Sequence, residues 1–178
     1  GIEGWGPEKV DAYEIGAKAS FRGAVSGYVN VAGFYNDFRN MQIQVTGISK
    51  VAGFSGAVPE VNAGKARIQG VELDGSLTFF QHLKVDVGYT FLDTKLLAID
   101  VPPIPAGAPY SAFIPTAVVG GPLAQSPRNR ITLTGTYTLP LDESIGEISF
   151  GATFIHTDKQ IFSQATLNPN DPIYKTYT

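Results

Sequence analysis

Residues 64–95 decide the fold, and they read GKARIQGVELDGSLTFFQHLKVDVGYTFLDTK. Apolar or small residues occupy every second position on both sides of Gln81-His82, where the alternation stops and then resumes. Because successive side chains of a β-strand point to opposite faces, each half predicts a strand with one apolar and one polar face. Each apolar set covers about nine residues, which is what a tilted strand needs to cross the hydrocarbon layer of a membrane. The stretch therefore predicts a hairpin of a transmembrane β-barrel.

The composition of the 178-residue chain agrees with this interpretation. Charged residues make up only 16%, against roughly 25% in an average soluble domain. The absence of cysteine excludes disulfides and thiolate metal sites, and the net charge of −3 disfavours nucleic acid as a partner. No run approaches about eighteen consecutive apolar residues, so the sequence predicts no transmembrane helix.

Four further segments alternate in the same way, at residues 8–21, 28–45, 128–139 and 148–155. Together with the hairpin they predict an all-β protein, an antiparallel up-and-down meander of about six strands. In the second segment, Phe34 and Phe38 fall on the face that should be polar, which leaves its facing open.

Connections between the predicted strands alternate between short and long. The long ones are predicted as loops at residues 46–62 and 96–126, and the prolines of the second forbid a regular central strand. Outer-membrane barrels place short turns at the periplasmic end and long loops outside. A soluble β-sandwich also alternates apolar and polar residues, but its strands usually have only about five or six residues.

Several stretches resemble the strands of TonB-dependent outer-membrane receptors. They are PEKVDAYEIGAK at residues 7–18, VAGFYNDFRNMQIQV at 31–45, NAGKARIQGVELDGSL at 62–77 and SPRNRITLTGTYTL at 126–139. The matches cover most of the chain and keep the order of the family, which makes the set more specific than any single motif.

The resemblance implies a barrel of about twenty-two strands around an N-terminal plug, located in the cell outer membrane. It implies import of a scarce nutrient, with a ferric siderophore as the leading candidate small-molecule substrate. It also implies a TonB complex that acts through the plug. We expect residues 1–178 to be part of the barrel domain and the plug domain to be absent from this chain. Six strands alone would leave two unpaired edges that lipid does not tolerate.

Two other interpretations remain open from the sequence. One is a diffusion porin of the outer membrane that has no plug. The other, from a different class, is a soluble β-sandwich that binds a partner through a sheet edge. An enzyme is not predicted, because no nucleophile, base or metal-ligand arrangement emerges, and no catalytic residue, metal or cofactor is proposed. His82 and His156 lack neighbouring ligands at metal-binding spacing.

Three sets of residues are candidates for binding. The first set shares the parity of the polar barrel interior, and we expect its members to be hydrated or bonded to the plug; it consists of Glu14, Lys18, Glu72, Asp74, Lys84, Asp86 and Arg130. The second set has lipid-side parity above the apolar bands, and two interpretations of it are open, contact with lipopolysaccharide phosphates or ordinary surface charge; it consists of Lys9, Arg39, Lys65, Arg67 and Lys95. The third is the aromatic pair Tyr110 and Phe113 in the loop at residues 96–126; this loop would either contact the ligand or only close the mouth of the barrel and pack on its neighbours.

Overall fold

The computed structural model describes residues 6–51, 60–104, 106–142 and 144–162. The strands of this part of the chain are β1 Lys9–Phe21, β2 Val25–Ser49, β3 Glu60–Phe79, β4 Leu83–Ile99, β5 Tyr110–Pro115, β6 Asn129–Thr138 and β7 Ser149–Thr157. They form one antiparallel sheet in the order β1-β2-β3-β4-β6-β7, with β5 paired to β2. The described residues contain no helix that could span a membrane. The predicted all-β antiparallel meander is confirmed.

The hairpin of residues 64–95 forms the centre of the sheet. Phe79 pairs with Leu83, and the register continues through sixteen pairs to Gly64 and Ile99 with one irregularity beside Lys65. The turn at residues 80–82 takes two residues through positive φ, Phe80 at 51° and Gln81 at 66°. This places the turn where the alternation of the sequence is interrupted.

Strand register separates the sheet into two faces. We call the apolar one the outer face, and its middle row across β2, β3, β4 and β6 consists of Val31, Leu73, Tyr89 and Ile131. We call the polar one the inner face, and its adjoining row consists of Asn30, Asp74, Gly88 and Thr132. Because the register is continuous, a strand cannot slip by one residue without exchanging the two faces.

The outer face is apolar and uncovered. Ile15 is 81% exposed and Phe150 63%, and no second sheet packs against them in the described part of the chain. A β-sandwich would bury such a face against a partner layer. Soluble monomers rarely expose a continuous apolar surface of this extent, so lipid is the medium that suits it.

Phe34 lies on the inner face, as the predicted facing of β2 requires. It pairs with Gly70 of β3, and a Cβ atom added to Gly70 would come within 2.8 Å of the Phe34 ring. The ring therefore occupies the space that the missing side chain leaves. An aromatic residue covering a cross-strand glycine explains why an apolar residue sits on a polar face.

β2 and β3 are much longer than a strand needs to be to cross a bilayer. They contain 25 and 20 residues, whereas about 9–11 suffice to cross a bilayer. A register shift between Phe38 and Met41, with Asn40 at φ 55°, marks the bend between the two parts. Above it lies a small apolar cluster that consists of Ile43, Val45, Val61 and Ala63, with Met41, Ile99 and Phe113 packed against it. We call this end, which also carries the long connections, the upper end.

Two predicted loops are wrong in part. The loop predicted at residues 46–62 begins and ends as strand, since β2 continues to Ser49 and β3 starts at Glu60; residues 52–59 lie outside the described part. The loop predicted at residues 96–126 contains β5, which pairs with Val45–Ser49 of β2. The prolines do not prevent this strand, because Pro109 and Pro115 stand at its ends and a short strand tolerates them there.

Replacing Leu73 with Arg should destabilise the membrane-inserted protein by roughly 2–4 kcal/mol, because the outer face would place a charge in mid-bilayer lipid. The matched control is Thr134→Arg, since Thr134 lies on the inner face and contacts Thr153 there at 3.0 Å. The measurement is the free energy of unfolding of the full-length protein in lipid vesicles. Equal losses in the two variants would refute the assignment of faces.

Candidate functional site

A polar groove runs across the inner face. It has a volume of about 530 Å³ and is lined from β1, β2, β3, β4 and β6, as expected for the concave side of a curved sheet. Gly16 and Gly88 carry no side chain into it, which keeps its floor open. The side chain of Asn30 donates a hydrogen bond of 2.8 Å to Asp74 across the groove.

The seven predicted interior residues all lie on the inner face. Five of them line the groove: Glu14, Lys18, Glu72, Asp74 and Arg130. The other two, Lys84 and Asp86, lie toward the lower end of β4 and form an ion pair of 3.2 Å with each other. The register therefore places the seven residues on one face of the sheet, whereas their position in a barrel interior and their contact with a plug or substrate remain predictions.

Among the groove residues that the structure describes, Glu14 and Glu72 are the two whose carboxylates are free to bind another group. Within the described residues, neither has an ion-pair partner, and both are exposed on the concave side. Their carboxylates are acceptors that need water, a cation or N–H groups. The arrangement suits the docking of another polar surface, and it offers no nucleophile and base in contact.

Tyr110 and Phe113 lie on β5 at the upper end. Their ring centroids are 5.6 Å apart. Tyr110 packs over Gly47 of β2, where an added Cβ would meet the ring at 2.6 Å, and Phe113 packs on the apolar cluster at the upper end. Both rings therefore fasten β5 to β2 and remain only partly exposed. Contact with a ligand remains a prediction for the exposed part of each ring.

The five basic residues considered for contact with lipopolysaccharide surround the upper ends of β1–β4. Three of them have a carboxylate nearby: Arg39 is bonded to Asp11, Arg67 to Asp93 at 2.8 Å, and Lys65 lies 3.9 Å from Asp100. Lys9 and Lys95 have no carboxylate partner in the part of the chain that the structure describes. The sequence indicated that two of these ion pairs were possible. Asp11 and Arg39 both have odd numbers, as do Asp93 and Arg67, so the alternation places each acid on the same face as its basic partner.

A chain of hydrogen bonds runs from Tyr89 on the outer face to the upper rim and joins β4, β6 and β7. Tyr89 donates to Asn129 at 2.8 Å, Asn129 donates to Asp158 at 2.6 Å, and Asp158 lies 3.0 Å from the His156 ring. The bond from Asn129, followed by that from His156, lowers the pKa of Asp158 below its ordinary value. Sequence reasoning missed this set, because its members are distant in the chain.

Neither histidine has a metal-binding environment in the described residues. His82 lies in the turn between β3 and β4, at the lower end of the sheet, whereas His156 lies near the last residue of β7, at the upper end. No group of three or more His, Asp and Glu side chains that could hold a metal ion occurs among the described residues.

The chain matches the model of a known protein family. A family model described as TonB dependent receptor-like, beta-barrel matches residues 6–178. The match includes every strand of the sheet and both of its faces, and it confirms the resemblance of the strand motifs. No curated protein sequence matches the chain.

The hydrogen bonds to Asp158 at the upper rim can be tested through the pH dependence of stability. Its folded-state pKa lies below the unfolded value of about 3.8, so its contribution to stability is present above that pH and is lost as the pH falls through the folded pKa. Wild type should therefore be more stable than Asp158→Asn at neutral pH, and the gap should close below about pH 3.8. The measurement is the thermal transition of both proteins in detergent between pH 7 and pH 2. A gap that does not change with pH would contradict the assigned bond.

Proposed function

From its membership of the family of TonB-dependent receptor β-barrels, we propose that the chain forms part of the wall of a receptor that imports a ferric siderophore. Members of this family are outer-membrane receptors and transporters. Residues 1–178 would be a segment of the barrel domain, and the plug would be supplied by another part of the receptor. The observation that carries the proposal is the two-faced sheet, with an apolar outer face and a polar groove inside.

The inner groove is the surface that we assign to the plug. Exposed carboxylates on Glu14 and Glu72 would accept hydrogen bonds from plug N–H groups or cations. A porin without a plug would instead leave these groups to water. Uptake in such a porin would not depend on energy from the inner membrane, which makes the two functions separable.

The residues at the upper end of the sheet support a ferric siderophore as the ligand. Residues 101–126 contain no charged side chain and include the partly exposed rings of Tyr110 and Phe113. A neutral surface with aromatic rings favours a chelate with a large organic periphery over a small, strongly charged anion. A sugar ring would stack on the same rings, so the assay compares both ligand classes.

Loss of the full-length gene should abolish energy-dependent uptake of iron-59 from one or more ferric siderophores in iron-limited cells. Complementation should restore uptake only where TonB is present. Maltodextrin uptake serves as the carbohydrate comparison. Uptake of iron that persists without TonB would refute the energised receptor, and TonB-dependent uptake of the carbohydrate alone would refute the siderophore.

Replacing Tyr110 with Leu should weaken ligand binding by about 2- to 10-fold, because an aromatic contact contributes about 0.5–1.5 kcal/mol. Leucine keeps an apolar side chain over Gly47, so β5 should remain paired. The matched control is Tyr137→Leu on the outer face at the lower end of β6, where no ligand is expected. Binding is measured by fluorescence titration of the purified receptor with the transported siderophore. Equal affinities for the two variants would remove Tyr110 from the ligand site.

A further inference from the structure

A basic pocket lies at the upper rim of the sheet, beside β4. It has a volume of about 550 Å³ and is closed by the chain segments around Pro122 and Gln160. Four basic side chains line it, Arg67, Lys95, Arg128 and Lys159. The sequence analysis did not single out Arg128 and Lys159, because they approach Lys95 only through long-range pairing at the rim.

The pocket has an excess of positive charge. Its one carboxylate, Asp93, is already engaged by Arg67 at 2.8 Å and by Gln69 at 3.0 Å. Lys95 and Lys159 have no carboxylate within ion-pairing distance in the described residues. The Nε–H group of Arg67 is buried and has no acceptor there either. Such a pocket favours an anionic group that can accept several hydrogen bonds.

Register places the charged strand residues of this pocket, Arg67, Asp93 and Lys95, on the outer face. Arg67 pairs directly with Lys95, and one step below on the same face Gln69 pairs with Asp93, followed by Val71 with Phe91. A substrate that passes through the barrel would meet the inner face, and none of these three charged residues lies there. The pocket lies just above the aromatic residues that end the apolar band, which is the level of the lipid headgroups.

An apolar groove lies on the same face beneath the pocket. It has a volume of about 520 Å³ and runs over Gly33, between Ile15, Tyr35 and Val71. A Cβ atom at Gly33 would have only one neighbour, at 3.9 Å, so the missing side chain leaves a real depression. Phe91 lines this groove, and the guanidinium of Arg128 stacks on its ring, with Cζ 5.4 Å from the ring centroid. The basic pocket and the apolar groove therefore adjoin.

We propose that these two surfaces bind one phosphorylated glycolipid of the outer leaflet. Its phosphate would lie among Lys95, Arg128 and Lys159, and an acyl chain would lie in the groove over Gly33. The proposal rests on the outer-membrane location of the barrel, and it is independent of the imported nutrient.

The first test replaces both unpaired lysines, Lys95→Gln with Lys159→Gln, in the full-length protein. Affinity for diphosphoryl lipid A, measured by native mass spectrometry after removal of bound lipid, should fall about 30-fold, because each basic residue near an anionic lipid surface contributes roughly fivefold. The matched control is Arg22→Gln with Lys50→Gln, since neither residue lines the inner groove, the apolar groove or the basic pocket, and it should change the affinity less than twofold.

Two outcomes would overturn the proposal. One is an equal loss of affinity in the two double variants. The other is displacement of the lipid by millimolar inorganic phosphate, which would make the pocket a site for free anions. Heat-shifted electrophoretic mobility is checked for every protein. A wild type without a heat shift would refute the barrel itself, whereas a shifted wild type with unchanged lipid affinity in the lysine variant refutes only this site.

The acyl groove has its own test. Gly33→Leu fills the depression and should weaken lipid A binding at least about fivefold, because displaced methylene groups lose their apolar contact. Gly135→Leu is the matched control, since it adds the same side chain to the outer face at a position with open space around it. Equal affinities for the two glycine variants would remove the acyl chain from the proposed site.

Discussion

Backbone hydrogen bonding between neighbouring strands is the interaction on which every other feature depends. In lipid no water can satisfy a free N–H or C=O group, so a spanning strand must pair along its whole length. The continuous ladders from β1 to β7 meet this demand between neighbours, and they fix the register at the same time. The register then decides which side chains meet lipid and which face the groove.

The sequence predicted the features that depend on period-two alternation. The hairpin of residues 64–95, its turn near Gln81 and the inner position of Glu14, Glu72 and Arg130 all follow from parity, because parity survives folding in any paired strand. From the sequence alone, Phe34 conflicted with the prediction that the inner face is polar, and the structure explains it. Its cross-strand neighbour is Gly70, and a glycine on one strand and a ring on the next cannot be matched before the register is set.

Features outside the bilayer were harder to predict. β5 lies between two prolines and gains its stability from pairing with a strand more than sixty residues earlier, a contact that no local pattern reports. Similarly, Lys95 and Arg128 come together only because the segment after β5 returns along β4, where Leu92 donates its N–H to Arg128 at 2.8 Å. Long-range pairing thus limits prediction at the upper rim, which is also where ligand and lipid sites are proposed.

The central claim is that one face of the sheet meets lipid while the other lines a polar interior. The direct test places single cysteines with nitroxide labels at residues 83–95 of β4 in the reconstituted full-length protein. Residues 1–178 contain no cysteine, and any cysteine elsewhere in the receptor is first replaced with serine. Paramagnetic resonance then measures the accessibility of each label to oxygen and to a water-soluble nickel chelate. We expect period-two alternation, with odd-numbered positions accessible to oxygen from Val85 to Phe91 and even-numbered positions accessible to nickel. Uniform nickel access along β4 would contradict it.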